Sequence, residues 1–353
     1  MPNTRELDPH APATLLDGDD LPRIDVGPLF GDDASARAKV VEQIRCACQA
    51  PGFFSVHNTC VSDELLAEAL AHATTFFSLP DASDIKQRVD NRLTPGGVGW
   101  GPMFEEPAYQ PGTVAHMESF DMSPPVEWVG TPEEARKLGI WVNVWPELPG
   151  FQATIERLYI AARELSSALF EVFAELLGMP RTYFASRATR RAPSTMRLLH
   201  YPGSAVASAR SNVGIAAHTD FECFTTMWQT APGLEVTDIS GRWLQAPARP
   251  GEFIIILGDM LERLSNGTFK ATGHRVGILP WRRYAMILFN ALDGDCEVAP
   301  LPTFISETRP AAYAPITQQA HIAAEVAHAH ALRTDAEEAG EVSDPKAGAT
   351  REP

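Results

Sequence analysis

Beyond residue 193 the chain runs through short apolar stretches: STMRLLHYPG, GIAAHTDFECFTTMWQ, GLEVTDISGRWLQAPA, GEFIIILGDMLERLSNG, KATGHRVGIL and RRYAMILFNALDGD, separated by Gly, Pro, Asn and Asp. Such runs, rich in β-branched and aromatic residues and broken this often, are strands rather than helices, so this half predicts a β-sandwich or barrel. The first half reads differently. Residues 34 to 52 and 62 to 80 carry apolar side chains at helical spacing, the first ending in Pro-Gly and the second opening on Ser62 at the N-cap position. Residues 150 to 180 predict one long helix, or two packed end to end, closing at Gly178. LPRIDVGPLF and GFFSVHN read as a strand with a turn and a second strand, while 88 to 150 is rich in Gly, Pro and Trp without a period. An irregular stretch of that length is often functional.

The expected architecture is mainly β with supporting helices. Residues 1–20 form a flexible N-terminus, 21–180 a helix-rich α/β region, 181–310 the β unit and 311–353 a C-terminal helix with a disordered tail.

The net charge of -16, from 29 basic and 45 acidic side chains, argues against nucleic acid as a partner, because phosphate binding needs basic neutralisation. No apolar run of about 18 residues offers a membrane span, and the N-terminus lacks the basic-then-apolar pattern of a signal peptide. We expect a cytoplasmic protein without a membrane partner, a monomer or a homodimer. Its five scattered cysteines fit reduced thiols. Cys46 and Cys48 form a CxC with no second pair, which reads as small buried hydrophobes rather than a zinc site.

Within GIAAHTDFECFTTMW, His218 and Asp220 stand two apart. On a strand they share a face, with Thr219 and Phe221 on the other. An ionised Asp in a barrel interior needs a positive partner, and a metal ion would be one. Two ligands are too few, and His274 in KATGHRVGIL is the best third candidate. Two His and one carboxylate leave open coordination positions, the facial triad of non-haem Fe(II) oxygenases. Taken alone, a His or Asp on a strand more often belongs to a satisfied hydrogen-bond network.

Arg283 lies nine residues after His274, and its strand pattern aims it inward with Ala285 and Ile287. A buried guanidinium requires a carboxylate, which it binds bidentately. A dicarboxylate cosubstrate reaching from the metal would satisfy it; so would a structural Asp or Glu, or exposure like that of Arg282.

LPRIDVGPL, PGFFSVHN, FFSLP, MRLLHYP, AAHTDF, PGEFIIILGDMLERLSNG and GHRV together resemble the isopenicillin N synthase-like family of iron- and 2-oxoglutarate-dependent dioxygenases, over roughly residues 21 to 310. The resemblance implies a distorted double-stranded β-helix, the cupin-like jelly roll, with Fe(II) held by His218, Asp220 and His274. It implies further that Arg283 binds the distal carboxylate of 2-oxoglutarate with Tyr201 as helper. O2 is then consumed, 2-oxoglutarate becomes succinate and CO2, and a small molecule, an amino acid or natural-product intermediate, is hydroxylated, desaturated or cyclised. The family usually carries Arg-x-Ser, whereas this chain has Arg283-Tyr284-Ala285 and lacks one hydroxyl.

Substrate contacts are sought in a lid over 88 to 125, which contains Trp100, Met103, Phe104, His116, Glu118 and Phe120, and along the barrel at Phe221, Met227 and Phe289. Glu222 replaces a common Gly. Alternation turns it toward the metal, where it could bind a cationic group, although a solvated acid at a strand end is the commoner role for Glu. Two other functions compete: an iron oxidase of the same fold without 2-oxoglutarate, and a non-catalytic jelly roll that binds a small ligand.

Overall fold

The computed structural model describes residues 13–15, 21–203, 211 and 213–338, with side chains to 333. The expected disordered tail and most of the expected flexible N-terminus therefore lie outside the described residues.

Each predicted helix forms where its caps place it. In α1 (Ala34–Gln49) the Asp33 carboxylate accepts from the Ser35 and Ala36 amides; in α2 (Asp63–Phe77) the Ser62 hydroxyl accepts from Leu65. The short α3 (Asp84–Gln87) and α4 (Pro132–Lys137) follow. One continuous helix, α5 (Phe151–Leu176), ends ahead of Gly178, whose φ of 72° lets the Met179 amide fold back on Ala174 O at 2.9 Å.

Two sheets carry the β structure. The larger has the order β2 (Arg23–Asp25), β3 (Phe53–His57), β11 (Phe253–Leu257), β8 (Phe224–Gln229), β13 (Arg283–Asn290), β6 (Met196–Tyr201), β5 (Glu118–Met122) and β4 (Gly99–Gly101). The smaller is β1 (Thr14–Leu15), β10 (Trp243–Gln245), β9 (Leu234–Thr237), β12 (His274–Val276) and β7 (Ile215–His218). Strands of the first half thus extend the sheet of the second. This is the double-stranded β-helix, mainly β with helices behind it.

Alternation divides the larger sheet into two faces. On β11, Phe253, Ile255 and Leu257 join a core with α1, α2 and α5, while Ile254 and Ile256 face the space between the sheets. On β13, Tyr284, Met286 and Leu288 point to the helices and Ala285 and Ile287 point inward. Cys48 is buried in the helix-side core and Cys46 is exposed; all five thiols are free.

Residues 88 to 150 are less irregular than their sequence suggested. Glu118–Met122 is a fully buried strand paired with β6, not part of a lid. Two further helices complete the chain: α6 (Asp259–Leu264) and α7 (Gln318–Glu338). Among the described residues no helix is long and apolar enough to cross a membrane.

Candidate active site

The run read as one strand is two. β7 stops at His218, residues 219 to 223 turn, and β8 starts at Phe224. Asp220 therefore reaches its place through a turn rather than through the pleat, and Phe221, expected on the far face by alternation, lines the cavity instead. Backbone bonds fix this turn throughout. The carbonyls of Asp220, Glu222 and Cys223 accept from the amides of Asp259 (2.9 Å), Met260 (3.0 Å) and Gly258 (2.8 Å), and the Phe221 carbonyl accepts from Gln318 Nε2 at 3.0 Å. Gly258 is required there, because a Cβ would stand 2.4 Å from Glu222 O. The first residue of α7 thus staples the turn, a contact across 97 residues that no local pattern announces.

His218 and His274 pair across β7 and β12, and their Nε2 atoms lie 3.8 and 3.5 Å from Asp220 Oδ1. The ligand atoms of all three fall within 4.8 Å of one another, the one such potential metal-binding group among the described residues. His218 Nδ1 sits 2.8 Å from Ala216 O and His274 Nδ1 3.1 Å from Thr272 O, so each Nδ1 carries the proton and each Nε2 offers its lone pair to the common centre. Burial, reinforced by His274 and opposed by Asp220, brings the His218 pKa down to about 4, which keeps the ring neutral as a ligand must be. Thr225 donates its hydroxyl to Asp220 Oδ2, turning Oδ1 toward the imidazoles.

The site opens on a cavity of about 810 Å³. Behind the wall residues Tyr201 and Met227, Arg283 is fully buried, with no carboxylate in ion-pair distance among the described residues. Gln229 Oε1 accepts from its Nε and Nη2 at 3.1 and 2.8 Å, Tyr201 lays its ring 4.8 Å away, and Nη1 has no hydrogen-bond partner. Burial lowers the Arg283 pKa, opposed by Tyr201; burial raises that of Tyr201, opposed by Arg283. A guanidinium oriented by a neutral amide and left with a free N–H suits an incoming carboxylate.

The structure separates the remaining sequence candidates. Phe221, Glu222, Met227 and Phe289 line the cavity. Phe104 and His116 stack on each other at 5.8 Å outside the cavity wall. Phe120 points to the other face of β5 and packs on Phe76 and Phe151, because on that strand Ser119 and Asp121 take the cavity side. Trp100 and Glu118 belong to a buried network behind the sheet, where Glu118 accepts from Lys86 Nζ (2.9 Å) and Trp100 Nε1 (2.8 Å). Glu222 is not solvated: only 8% of it is exposed, and burial, then the Asp220 and Asp259 charges, push its pKa up to about 8.

Several wall residues escaped sequence reasoning. Arg197 binds Asp121 at 2.7 and 3.0 Å and Glu106 at 2.7 Å. Tyr109 stacks on His218 at 4.3 Å and donates to Glu106. Arg197 was legible by alternation, since it shares the inner face of β6 with Leu199 and Tyr201. The α7 residues Ile322, Ala323, Val326 and Arg333 close the cavity over its mouth, with His321 2.8 Å from Asp259 and Arg333 3.1 Å from Glu105.

Two imidazoles and one carboxylate converging on the wall of a cavity are a donor set that would suit a mononuclear non-haem iron centre. Comparison with known proteins agrees. Residues 21–148 match the family model for the N-terminal region of non-haem dioxygenases of morphine synthesis, and 192–291 match that of the 2OG-Fe(II) oxygenase superfamily. The chain is 30% identical over 311 residues to the 2-oxoglutarate-Fe(II) type oxidoreductase hxnY of Emericella nidulans, covering 84% of this chain and 86% of that protein. It is 31% identical over 294 residues to the 2-oxoglutarate-dependent dioxygenase citB of Monascus ruber (80% and 87% covered). It is 30% identical over 296 residues to homoarginine-6-hydroxylase of Oryza sativa (80% and 88%). Among solved structures, a 2OG-Fe(II) oxygenase family protein of Caulobacter crescentus superposes with TM-score 0.73 at 26% identity, covering 87% of this chain and 98% of that one. A full-length Neurospora crassa protein in complex with alpha-KG shares the fold, with TM-score 0.75 at 22% identity and coverage of 89% and 98%. The chain belongs to the 2OG-Fe(II) oxygenase superfamily. As such it is an oxidoreductase that uses Fe(II), 2-oxoglutarate and O2.

Proposed function

We propose that His218, Asp220 and His274 hold the Fe(II), and that Arg283, oriented by Gln229 and flanked by Tyr201, binds the distal carboxylate of 2-oxoglutarate. The convergence of three potential ligand atoms within 4.8 Å of one another on the cavity wall carries this reading. The free Nη1 of Arg283 supports the second half. Bound Fe(II) would supply the redox centre that joins O2, 2-oxoglutarate and a C–H bond. One oxygen atom enters succinate as CO2 leaves, and the other enters an alcohol product or, in a desaturation or cyclisation, leaves as water.

The protein's own contribution is positional. The turn at 219 to 223 holds Asp220 in place, the Nδ1–H bonds to Ala216 and Thr272 hold the imidazole tautomers, and the ring of Tyr109, itself beside Phe221, stacks on His218 and fixes its plane. The substrate is a small molecule, an amino acid or natural-product intermediate; the cavity volume and the homoarginine hydroxylase among the relatives support that class. Residues 21–180 serve as the helical support and 181–310 as the catalytic unit, in keeping with two separately matching family models. Free thiols support a reducing cytoplasmic setting, as a monomer or homodimer.

Iron-loaded protein should convert 2-oxoglutarate to succinate, and His218→Ala should bind no stoichiometric iron and form none. Iron bound in the parent, but neither succinate nor a visible charge-transfer band on anaerobic addition of 2-oxoglutarate, would instead support the oxidase that dispenses with this cosubstrate.

A further inference from the structure

We infer that the substrate carries a basic nitrogen, received by the Glu222 carboxylate on a wall it shares with aromatic and aliphatic side chains; this rests on the iron and 2-oxoglutarate reading above. The ion pairs around the cavity lead to it. Among the described residues the arginines of the wall are Arg92, Arg197 and Arg333, and each is already engaged. Arg92 binds Asp90 at 2.9 Å and Glu105 at 3.3 Å, Arg197 binds Asp121 and Glu106, and Arg333 binds Glu105 at 3.1 Å. Among the described residues no arginine of the wall is left over for an anionic substrate.

Glu222 is the reverse case. It lines the cavity, is buried, and has no basic side chain within ion-pair distance among the described residues. A buried carboxyl with no cation beside it either stays protonated or costs several kcal/mol to ionise, and a cationic ligand removes that cost by supplying the counter-charge. Its backbone is pinned through Glu222 O to the Met260 amide, so the side chain springs from a fixed point two residues from Asp220. A cation held there would place the adjoining carbons beside the metal ligands.

The rest of the substrate is described by what surrounds that point. Phe221 and Phe289, and Ile322 and Val326 of α7, line the same cavity and suit an aromatic or aliphatic frame, and the aromatic rings can add cation–π attraction for an ammonium or guanidinium group.

Matched probes test this: phenethylamine, 2-phenylethanol and 3-phenylpropanoate, titrated calorimetrically into the iron-loaded protein with 2-oxoglutarate under anaerobic conditions. The amine should bind at least tenfold more tightly than the alcohol, with the acid weakest, and Glu222→Gln should erase the amine's advantage. Equal or better binding of the alcohol or acid, no binding of the amine at its solubility limit, or an undiminished amine preference in Glu222→Gln would overturn the inference. The ranking in the unsubstituted protein decides the matter even where Glu222→Gln does not fold. Failure of the iron and 2-oxoglutarate reading shows separately, as a missing charge-transfer band before any probe is added.

Discussion

Arg197 and Arg283 stand on the inner face of neighbouring strands, where Ile287 pairs with Arg197 and Arg283 with Tyr201, yet they are in opposite states. Arg197 is saturated, with Asp121 binding it through both carboxylate oxygens and Glu106 taking a third N–H. Those charges hold its pKa well above the usual arginine range although burial alone would lower it. Arg283 is deeper, leans on the neutral amide of Gln229 and the Met227 thioether, and keeps one N–H free. A buried guanidinium already neutralised by carboxylates holds the wall together. One that is only oriented waits for a ligand's charge.

Replacing each by Met should separate the two roles most widely. Arg197→Met leaves Asp121 and Glu106 buried without a cation and should lower urea-unfolding stability by about 3 to 5 kcal/mol. Arg283→Met removes a charge that has no ionic partner, and without 2-oxoglutarate its stability should stay within about 1 kcal/mol of the parent. Its affinity for 2-oxoglutarate, followed by anaerobic titration of the iron protein, should fall by about 30-fold or more, the equivalent of losing roughly 2 kcal/mol from a buried charge pair. Equal loss of stability in both variants would dissolve the contrast.

Thr225 does for Asp220 what Gln229 does for Arg283: it orients a functional group without competing for it. Thr225→Val keeps the shape and deletes the donated hydrogen bond. Iron affinity measured by chelator competition should drop by about 10- to 100-fold, in the range for partners that orient metal ligands. An unchanged affinity would mean that the backbone bonds of the 219 to 223 turn position Asp220 by themselves.

How much of this could be read in advance follows the distance over which each feature is decided. Capped helices such as the one opening at Ser62, and strands such as Phe253–Leu257, are local and were legible. The convergence of His218, Asp220 and His274 was legible as well, although for a partly mistaken reason: period-two alternation brings His218 inward, but Asp220 arrives through a turn that Gln318 and Gly258 hold from far along the chain. Glu118–Met122 was included in the expected lid because a strand buried on both faces shows no polar–apolar alternation, and its pairing with β6 spans some 80 residues of sequence. The α7 helix was expected, but its place over the cavity was not. That depends on His321 meeting Asp259 and Arg333 meeting Glu105, pairings that no periodicity encodes.

The smallest expected effect concerns the hydroxyl missing beside Arg283. Ala285 is 1% exposed and faces inward, two residues along the strand from Arg283 and opposite Gln229. Ala285→Ser would add a donor on the face where the distal carboxylate of 2-oxoglutarate is proposed to lie. Its two consequences should have opposite signs. Without 2-oxoglutarate a buried, unpaired hydroxyl should cost about 1 kcal/mol of stability. With it, the new hydrogen bond to a charged group should tighten binding about tenfold, the equivalent of some 1.4 kcal/mol. If the stability falls but the affinity does not rise, the carboxylate is bound out of reach of position 285, and Gln229 and Tyr201, rather than a missing serine, set how firmly Arg283 grips it.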